Sequence, residues 1–403
     1  MSAPIPLEEA LARMLASARM TDLVDTVPLL EARGRILAED VKAVIDVPGA
    51  DNSAMDGYAL RAAEADGPLR VAQRIPAGAV GKPLAPGTAA RIFTGAPMPP
   101  GADAVAIQEN CLEEEGVVRV KHVTAAGDNV RPRGQDVAVG ETVIASGRRL
   151  RPQDLGLLAS VGVAEVRVFR PLRVGVLATG DELVEPGTQQ LPDAGQLFNS
   201  NRYTLAGLIL DLGMEFVDCG IVQDDPVAIA DALRNAAARA DCVITSGGVS
   251  VGEEDHVRRQ VEDLGQIHLW RLAIKPGKPL AFGRIGDVPF IGLPGNPTSV
   301  FVTFCLVARP FLMKMQGSRE PSQPSLRARA AFRVDRPGRR RDYLRVTVAS
   351  EADGLCAFRY PNQSSGVLSS VSRSNALAVI PEGTTISEGD EVQVMLLDML
   401  AHG

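Results

Sequence analysis

Aromatic residues, cysteine pairs and excess basic charge are all scarce in this chain of 403 residues. Only 4% of the residues are Phe, Trp or Tyr, and there is a single tryptophan. The five cysteines form no CxxC pair, which argues against a disulfide framework or a thiolate zinc site and predicts buried thiols. The net charge is −7, from 42 basic and 49 acidic residues. Because nucleic-acid binding needs clustered Lys and Arg, a nucleic-acid partner is not expected.

Histidine pairs and long apolar runs are also missing. The four histidines form no HxH or HxxxH pair, which argues against a histidine metal site or a His-based triad. The N-terminus lacks a basic region followed by an apolar run, and no uninterrupted apolar stretch approaches the roughly 20 residues of a membrane span. We therefore expect a cytoplasmic location and no membrane partner.

The residues that are present indicate a folded protein of several domains. The composition is 45% hydrophobic and 23% charged, as in ordinary globular proteins. The length exceeds that of one domain of roughly 100–200 residues. The acidic total does not exclude a small anionic ligand, because charges more than about 8 Å apart are largely screened at physiological salt. Local groups of charge therefore decide which ligands can bind.

The sequence divides into regions of different pattern. Apolar residues at helical spacing predict an amphipathic helix over residues 5–20. Residues 26–146 contain short apolar runs broken by Gly and Pro, which predict a β-rich second domain. After a Pro-, Ser- and Arg-rich linker, residues 325–403 contain short strand patterns without a long helix and predict a terminal β domain.

Residues 171–317 alternate between strand and helix patterns. The predicted strands cover residues 172–179, 215–222, 241–246, 267–274, 279–285 and 288–293. The predicted helices cover residues 201–213, 226–240, 298–315 and a segment near 254–264. This order predicts a doubly wound, mostly parallel α/β domain. Ligands of such domains gather at the loops that leave the carboxyl ends of the strands.

The first two of these loops contain glycine and acidic residues. The loop 179–182 ends in Asp181 and Glu182, which suit metal or hydroxyl contacts or, alternatively, the first turn of a capped helix. The loop 246–255 has three glycines in seven residues, more than a solvent turn needs, and its backbone N–H groups can face an anion. Its candidate ligand contacts are Gly247, Gly248, Ser250 and Asp255, the last also a candidate metal ligand.

The other two loops contain proline with lysine or asparagine. Lys275 and Lys278 flank a Pro-Gly turn and Arg271 precedes them, which predicts a preorganised cation pair for phosphate or a molybdate-like anion; the alternative is a charged surface hairpin. In the loop 293–299, Asn296 can cap the following helix while Pro297 occupies its first turn. The same helix end can present N–H groups to an anion, and both interpretations can hold.

Two polar clusters fall in the β-rich second domain. Residues 51–59 contain two carboxylates, including Asp56, and Thr94 lies in a later Thr-Gly turn. Residues 127–136 combine arginines with acids and end at Asp136. Either cluster can instead be a solvated turn. With no paired histidines, carboxylates, hydroxyls and lysines must carry any catalysis, which favours magnesium-assisted chemistry on phosphate-bearing substrates.

Ten motifs, in order and at similar spacing, resemble the molybdopterin molybdenumtransferase family, which includes the E-domain of gephyrin. They are PGADNSAMDGYA, RIFTGAPMPPGADAV, IQEN, GDNVRPRGQD, LATGDEL, SNRYTL, QDDP, SGGVSVGEEDHV, LAIKPGKP and GLPGNPTS. The resemblance covers nearly the whole chain and implies insertion of molybdate into adenylylated molybdopterin with Mg²⁺, releasing AMP and the molybdenum cofactor.

The family's functional residues, transferred by motif position, comprise catalytic and ligand-contacting groups. The implied catalytic residues are Asp56, Thr94, Glu182, Asp255 and Lys275. Asp56, Glu182 and Asp255 are candidate Mg²⁺ ligands, because a divalent cation between these carboxylates and a phosphate removes their repulsion. The implied ligand contacts are Asp136, Asp224, Pro294 and Pro297, to which the loop patterns add Gly247, Gly248, Ser250, Arg271 and Lys278. The sequence departs from several relatives where Trp270-Arg271 replaces Trp-Lys, which keeps the charge but changes its shape. Serines 364, 365, 369 and 370 are further candidate pterin contacts.

The resemblance also implies an architecture and partners. Residues 1–25 with 147–170 would form an elongated N-terminal dimerisation domain, and residues 325–403 a small β-barrel. A homodimer would complete the cleft between the α/β domain of one subunit and the second domain of the other. The expected partners are molybdate, adenylylated molybdopterin and a molybdopterin adenylyltransferase. Two alternative functions stay open: the chain itself as a molybdopterin adenylyltransferase, or a non-catalytic scaffold like gephyrin.

Overall fold

A computed structural model describes residues 4–122, 124–248, 256–319 and 325–402. Its largest sheet, the central sheet, has six strands in the spatial order Glu215–Val222, Arg173–Thr179, Cys242–Ser246, Val288–Leu293, Pro279–Ile285 and Gly265–Arg271. The first four strands are parallel to one another, and the last two are antiparallel additions at one edge. This confirms the prediction of a mostly parallel α/β sheet.

Helices cover both faces of the central sheet. They are Ser200–Asp211, Pro226–Arg239, His256–Leu264 and a continuous helical segment from Pro297 to Met315 with a π-helical turn at Phe304–Ala308. The Asp225 carboxylate caps the second helix by accepting the Ala228 N–H at 2.8 Å. Pro297 occupies the first turn of the long helix as predicted, but the Asn296 side chain makes no capping hydrogen bond, so that part of the prediction was wrong.

The long helix Pro297–Met315 carries no charged side chain apart from Arg309 and Lys314, which interrupt its apolar run. It is the one helix of the described residues that is long and apolar enough to cross a membrane by length and composition. It is 94% buried inside the protein, where Phe304 and Phe311 pack in the main core. Leu7, Ala10 and Met14 of the N-terminal helix Leu7–Ser17 join the same core. That helix is shorter at both ends than predicted.

The second domain contains a separate six-stranded sheet, the second sheet. Its strands in spatial order are Ala104–Ile107, Gly57–Leu60, Thr88–Ile92, Leu69–Ile75, Val117–Val120 and Cys111–Glu114. Only the third and fourth of these strands pair in parallel. Two apolar clusters, one on each side, bury alternate residues of these strands, as the short apolar runs predict.

Short elements connect these parts. Two-stranded ladders join Val24–Pro28 to Glu165–Phe169, Val41–Lys42 to Thr142–Ile144, Asn52–Ser53 to Val130–Arg131 and Leu183–Val184 to Leu197–Phe198. The helix Pro152–Ser160 and the 3₁₀ turns Leu29–Glu31, Ala62–Glu64 and Gln108–Asn110 complete this group.

The C-terminal region is a small closed barrel. Its five strands follow one another in the order Arg341–Glu351, Gly354–Arg359, Leu326–Ala330, Glu391–Leu396 and Ala376–Ile380, and the last pairs again with the first. The helices Ser369–Ser372 and Leu397–His402 lie between and after these strands. Closure leaves the barrel strands without an unpaired edge, which confirms the predicted small barrel.

One predicted strand was wrong in a way that concerns the site. The pattern over 267–274 predicts a single strand, but the strand ends at Arg271. Ile274 and Lys275 form a separate short strand that pairs in parallel with Arg341 and Asp342 of the barrel. The break redirects the lysine-containing loop from the central sheet toward the barrel.

Candidate active site

The loops singled out in the α/β domain meet at one edge of the central sheet. In the register of the parallel strands, Ser246 lies opposite Ala178 and Leu293, and Thr179 lies opposite Val222. The loops after these strands therefore start side by side. The antiparallel strand that begins at Pro279 starts at the same edge, because Ala281 pairs with Gly292. We call this the catalytic edge.

The glycine loop at the catalytic edge has a backbone that only glycine adopts easily. Gly247 and Gly248 have φ angles of +94° and +63°. A Cβ at Gly248 would lie 2.4 Å from Val257 Cγ2 and 2.9 Å from Thr179 Oγ1. The loop therefore packs its backbone against the neighbouring strand end. Ser250 and Asp255, predicted in the same loop, lie outside the described residues.

Carboxylates gather on the other side of the catalytic edge. The Asp181 side chain accepts the Asp224 N–H at 3.1 Å, which ties the two loops together. Desolvation and the nearby carboxylates of Asp181 and Glu182 raise the pKa of Asp224 above its ordinary value, while His256 opposes the shift. We call Asp181, Glu182 and Asp224 the acidic group. Repulsion within it means that a cation held there would be stabilised.

At least two buried polar atoms at this edge are left without hydrogen-bond partners among the described residues. One is the Ser246 hydroxyl, at the end of its strand. Another is the Asn201 side-chain oxygen, whose amide nitrogen donates to the Gly295 carbonyl at 2.7 Å. A buried polar group without a partner costs about 1–3 kcal/mol, so these atoms favour a ligand. Neither residue was predicted as a site residue, because partner status cannot be read from a motif.

The Lys-Pro-Gly-Lys loop is held against both the long helix and the barrel. Lys275 Nζ donates to the Asp342 carboxylate of the barrel at 2.8 Å. Gly277 has a φ angle of +107°, and a Cβ there would lie 2.5 Å from Thr303 Oγ1. The Lys278 side chain is exposed, and Arg271 ends the outermost strand beside Pro279. The predicted cation group is thus at the catalytic edge.

A basic cavity opens beside Lys275, in the wall of the barrel. Its volume is about 540 Å³. Its charged lining comprises six basic side chains, Lys275, Arg333, Arg336, Arg339, Arg340 and Arg359, and two acidic ones, Asp335 and Asp342. The Arg340 guanidinium donates to the Ile274 carbonyl at 3.0 Å, which fixes it beside the lysine loop. These arginines are not among the predicted site residues, although the run GRRR at residues 338–341 is a visible signal in the sequence.

The barrel also holds the start of the long helix. Thr298 donates its N–H to the Ser365 carbonyl and its hydroxyl to the Val367 carbonyl, both at 3.0 Å. The buried Arg345 side chain supports the same barrel loop through the Ser370 hydroxyl and the Ser364 carbonyl. Of the four serines proposed as pterin contacts, Ser370 is therefore engaged within the barrel. Pro294 is buried and Pro297 half-buried at this junction.

The site residues predicted in the second domain form a pair within the second sheet. The Asp56 carboxylate accepts both the N–H and the hydroxyl of Thr94, at 2.8 and 2.9 Å. These two hydrogen bonds, with a smaller contribution from Arg91, lower the pKa of Asp56. Asp136 lies on a different loop, where its N–H donates to Val47. The structure thus joins Asp56 to Thr94 but shows neither in contact with the acidic group.

The oxygen donors at the catalytic edge are of the chemical type that magnesium prefers. Carboxylates are the oxygen ligands that Mg²⁺ prefers, and this ion typically takes one or two of them together with waters and substrate phosphates. Among the described residues, no group of three or more His, Cys, Asp or Glu side chains is placed to hold one metal ion. A metal ion at this edge would therefore share its coordination with substrate.

Comparisons with known proteins cover this chain from end to end. It matches the MoeA N-terminal region (domain I and II) at residues 5–162, a probable molybdopterin binding domain at residues 175–314 and the MoeA C-terminal region (domain IV) at residues 327–397.

Full-length relatives agree with these matches. The chain is 38% identical to a molybdopterin molybdenumtransferase of Haemophilus influenzae, over 97% of this chain and 98% of the relative. It is 39% identical to a molybdopterin molybdenumtransferase of Nostoc sp., over 95% of this chain and 90% of the relative. A crystal structure of a molybdopterin biosynthesis moeA protein from Pyrococcus horikoshii OT3 superposes with a TM-score of 0.84, at 30% identity over 98% of this chain and 100% of that one.

Proposed function

Because the chain belongs to the molybdopterin molybdenumtransferase family and is a transferase of molybdenum cofactor biosynthesis, we propose that it inserts molybdate into adenylylated molybdopterin with Mg²⁺, releasing AMP. The observation that carries this finer proposal is the meeting of a glycine loop, an acidic group and a basic cavity at one sheet edge. Action as a cytoplasmic homodimer is part of the proposal.

The glycine loop and the two unpartnered polar atoms would bind the adenylylated substrate. The φ angles of Gly247 and Gly248 allow a phosphate to approach the loop backbone closely. The Ser246 hydroxyl and the Asn201 oxygen offer a donor and an acceptor to a hydrogen-bonding ligand. Binding would satisfy these two atoms, which are buried without partners among the described residues.

The basic cavity would hold molybdate. Molybdate is a dianion, and six basic side chains against two acidic ones give the cavity an excess of positive charge. Lys275 stands where the cavity meets the catalytic edge, so an anion bound there lies next to the substrate loops. In this proposal, Lys275 Nζ exchanges part of its interaction with Asp342 for the oxyanion.

The acidic group would position Mg²⁺ between protein and substrate. When bound, Mg²⁺ supplies charge neutralisation of the phosphoanhydride that is cleaved. Among the described residues of the acidic group, Glu182 and Asp224 would hold Mg²⁺. Asp255 and Asp56 complete the proposed set of Mg²⁺ ligands. Asp56 keeps one carboxylate oxygen outside its hydrogen bonds to Thr94, because both of those bonds are made by Oδ1.

The test is AMP release from adenylylated molybdopterin by the purified protein with molybdate and Mg²⁺. Glu182→Gln and Asp56→Asn should keep the fold and lose Mg²⁺-dependent release. Glu185→Gln is a matched control on the same segment, since the Glu185 carboxylate is already paired with Arg202, at 2.6 Å. Undiminished release by Glu182→Gln and Asp56→Asn at limiting Mg²⁺ would contradict the metal assignment.

A further inference from the structure

A second cavity lies at the opposite end of the central sheet. Its volume is about 450 Å³, within the range of small-molecule sites. Leu172, Asp241 and Val288 line it, and each stands just before or at the start of a parallel strand. The cavity is therefore separated from the catalytic edge by the length of a seven-residue strand, about 20 Å. We call it the amino-edge pocket.

The floor of the amino-edge pocket is apolar and aromatic. Phe282 and Phe311 line it, with ring centroids 5.2 Å apart in an edge-to-face arrangement. Met315 adds a thioether from the last turn of the long helix. All three side chains are buried. Aromatic rings and thioethers pack favourably against a further aromatic ring, so the floor suits a flat aromatic group.

The rim of the pocket carries polar side chains that the chain does not use. Arg19, Asp22 and Gln266 are exposed at the rim without a described side-chain hydrogen bond or ion pair, and the exposed His268 beside them stacks its ring on Trp270. By contrast, Arg284 pairs with Asp287, and Asp241 pairs with Arg173, each at 2.8 Å. The free groups include an acceptor-only carboxylate and an amide with both donor and acceptor. They suit a ligand whose outer part carries hydroxyl groups.

The charge of the rim distinguishes this pocket from the catalytic edge. Three carboxylates, Asp22, Asp241 and Asp287, line it with two guanidinium groups, and the pairs Arg284–Asp287 and Arg173–Asp241 leave Asp22 and Arg19 as the unpaired charges among its described residues. The rim therefore has no surplus of positive charge with which to hold a phosphate. An uncharged ligand needs no such surplus, so the pocket favours one over the anions proposed to bind at the catalytic edge.

We propose that the amino-edge pocket binds an uncharged nucleoside, with the base in the apolar part of the pocket beside Phe282 and the ribose hydroxyls at Asp22 and Gln266. This site is separate from the proposed molybdenum-inserting site and does not depend on it. The single tryptophan of the chain provides a direct reporter, because Trp270 stacks on Phe282 with centroids 5.8 Å apart and on His268 at 6.2 Å.

The experiment titrates the full-length protein with adenosine, inosine and AMP while following Trp270 fluorescence, with equilibrium dialysis as a second readout. We expect adenosine or inosine to bind and change the fluorescence. Saturating AMP should not displace the nucleoside. No nucleoside binding by dialysis would overturn the proposal, and so would complete displacement by AMP, which would place the nucleoside at the catalytic edge.

A matched pair of variants locates the binding. Ser17 ends its helix, lines the pocket and donates to the Met14 carbonyl at 2.8 Å. Ser160 ends another helix, far from the pocket lining, and donates to Leu157 at 2.7 Å. Ser17→Phe should fill the rim and weaken nucleoside binding about tenfold or more, which corresponds to about 1.4 kcal/mol. Ser160→Phe should leave binding unchanged, and equal affinity in the two variants would contradict the location.

Discussion

The polar loops around the second sheet and those at the catalytic edge are similar in composition but differ in how many of their groups are already paired. Near the second sheet, the Asp51 carboxylate accepts the Arg133 N–H at 2.7 Å, and Asp46 pairs with the same arginine. At the catalytic edge, Ser246 and Asn201 each bury a polar atom without a partner among the described residues. The carboxylates of the first region are used within its own fold, although the Asn52 side-chain oxygen there is also buried without a described partner. At the catalytic edge, the unpartnered atoms lie beside the glycine loop and the acidic group, where a ligand can reach them.

Lys275→Ala should give the largest effect on activity. Removing a preorganised cation beside the reacting anions should lower kcat/KM for AMP release by about 10²-fold or more. Asp342→Asn removes the partner of the same ion pair but keeps the lysine charge, and a half-exposed pair contributes only about 0–1 kcal/mol to stability. Equal activity losses in the two variants would show that the ion pair, and not the lysine, matters.

Ser246→Ala and Asp51→Ala test the comparison directly. Ser246→Ala deletes a buried hydroxyl without a described partner, so the free energy of unfolding should stay constant or rise while substrate affinity falls about tenfold. Asp51→Ala deletes a satisfied acceptor, so unfolding should become easier by about 1 kcal/mol with activity preserved. Denaturant unfolding and steady-state kinetics measure both. The reverse pattern would contradict our assignment of the two regions.

Thr298→Val should loosen the contact between the barrel and the long helix. It removes the hydroxyl bond to Val367, which should cost about 1 kcal/mol of stability and raise KM by a few fold. Thr303→Val is the matched control on the same helix, because the buried Thr303 hydroxyl has no partner among the described residues. The control should be neutral or more stable. A larger loss of stability in Thr303→Val than in Thr298→Val would contradict the view that the Thr298–Val367 hydrogen bond holds the barrel against the helix.

Asp224→Asn should give the smallest effect on stability, and one that depends on pH. Because the folded protein raises the pKa of Asp224, the free energy of unfolding should fall as pH rises through that raised value. The variant should not lose stability in this way. At pH values above the raised pKa, its free energy of unfolding should exceed that of the unmodified protein by no more than about 0.5 kcal/mol, as is usual for surface changes. Mg²⁺ should reduce or reverse the difference. Thermal unfolding at several pH values, with and without Mg²⁺, measures it.

Much of the α/β domain could be predicted because its signals are local. Helix Pro226–Arg239 and strand Cys242–Ser246 follow from apolar periodicity, a capping Asp225 and the first-turn proline. The break after Arg271 could not, since it depends on pairing of Ile274 and Lys275 with the barrel. The prediction of buried thiols was correct only for Cys242 and Cys305, and the other three cysteines are partly exposed.

The candidate site could be predicted where glycine or charge marks the loop. Gly248 and Lys275 were identified from such patterns and lie at the catalytic edge. The basic cavity was not identified, because Arg333 and Arg359 come from separate barrel segments that only folding brings together. The role of Asn201 could not be predicted either, because only the folded structure shows that its side-chain oxygen is buried without a described hydrogen-bond partner.

The central claim is that the catalytic edge discharges AMP from adenylylated molybdopterin when molybdate is inserted. The most direct measurement is a single-turnover experiment with purified protein and adenylylated molybdopterin, in which molybdate and Mg²⁺ are added separately and together. We predict AMP release close to one per site only when both are present, and release slower by about 10²-fold or more with Lys275→Ala. Absence of AMP release by the unmodified protein, or consumption of ATP with unadenylylated molybdopterin instead, would contradict this claim.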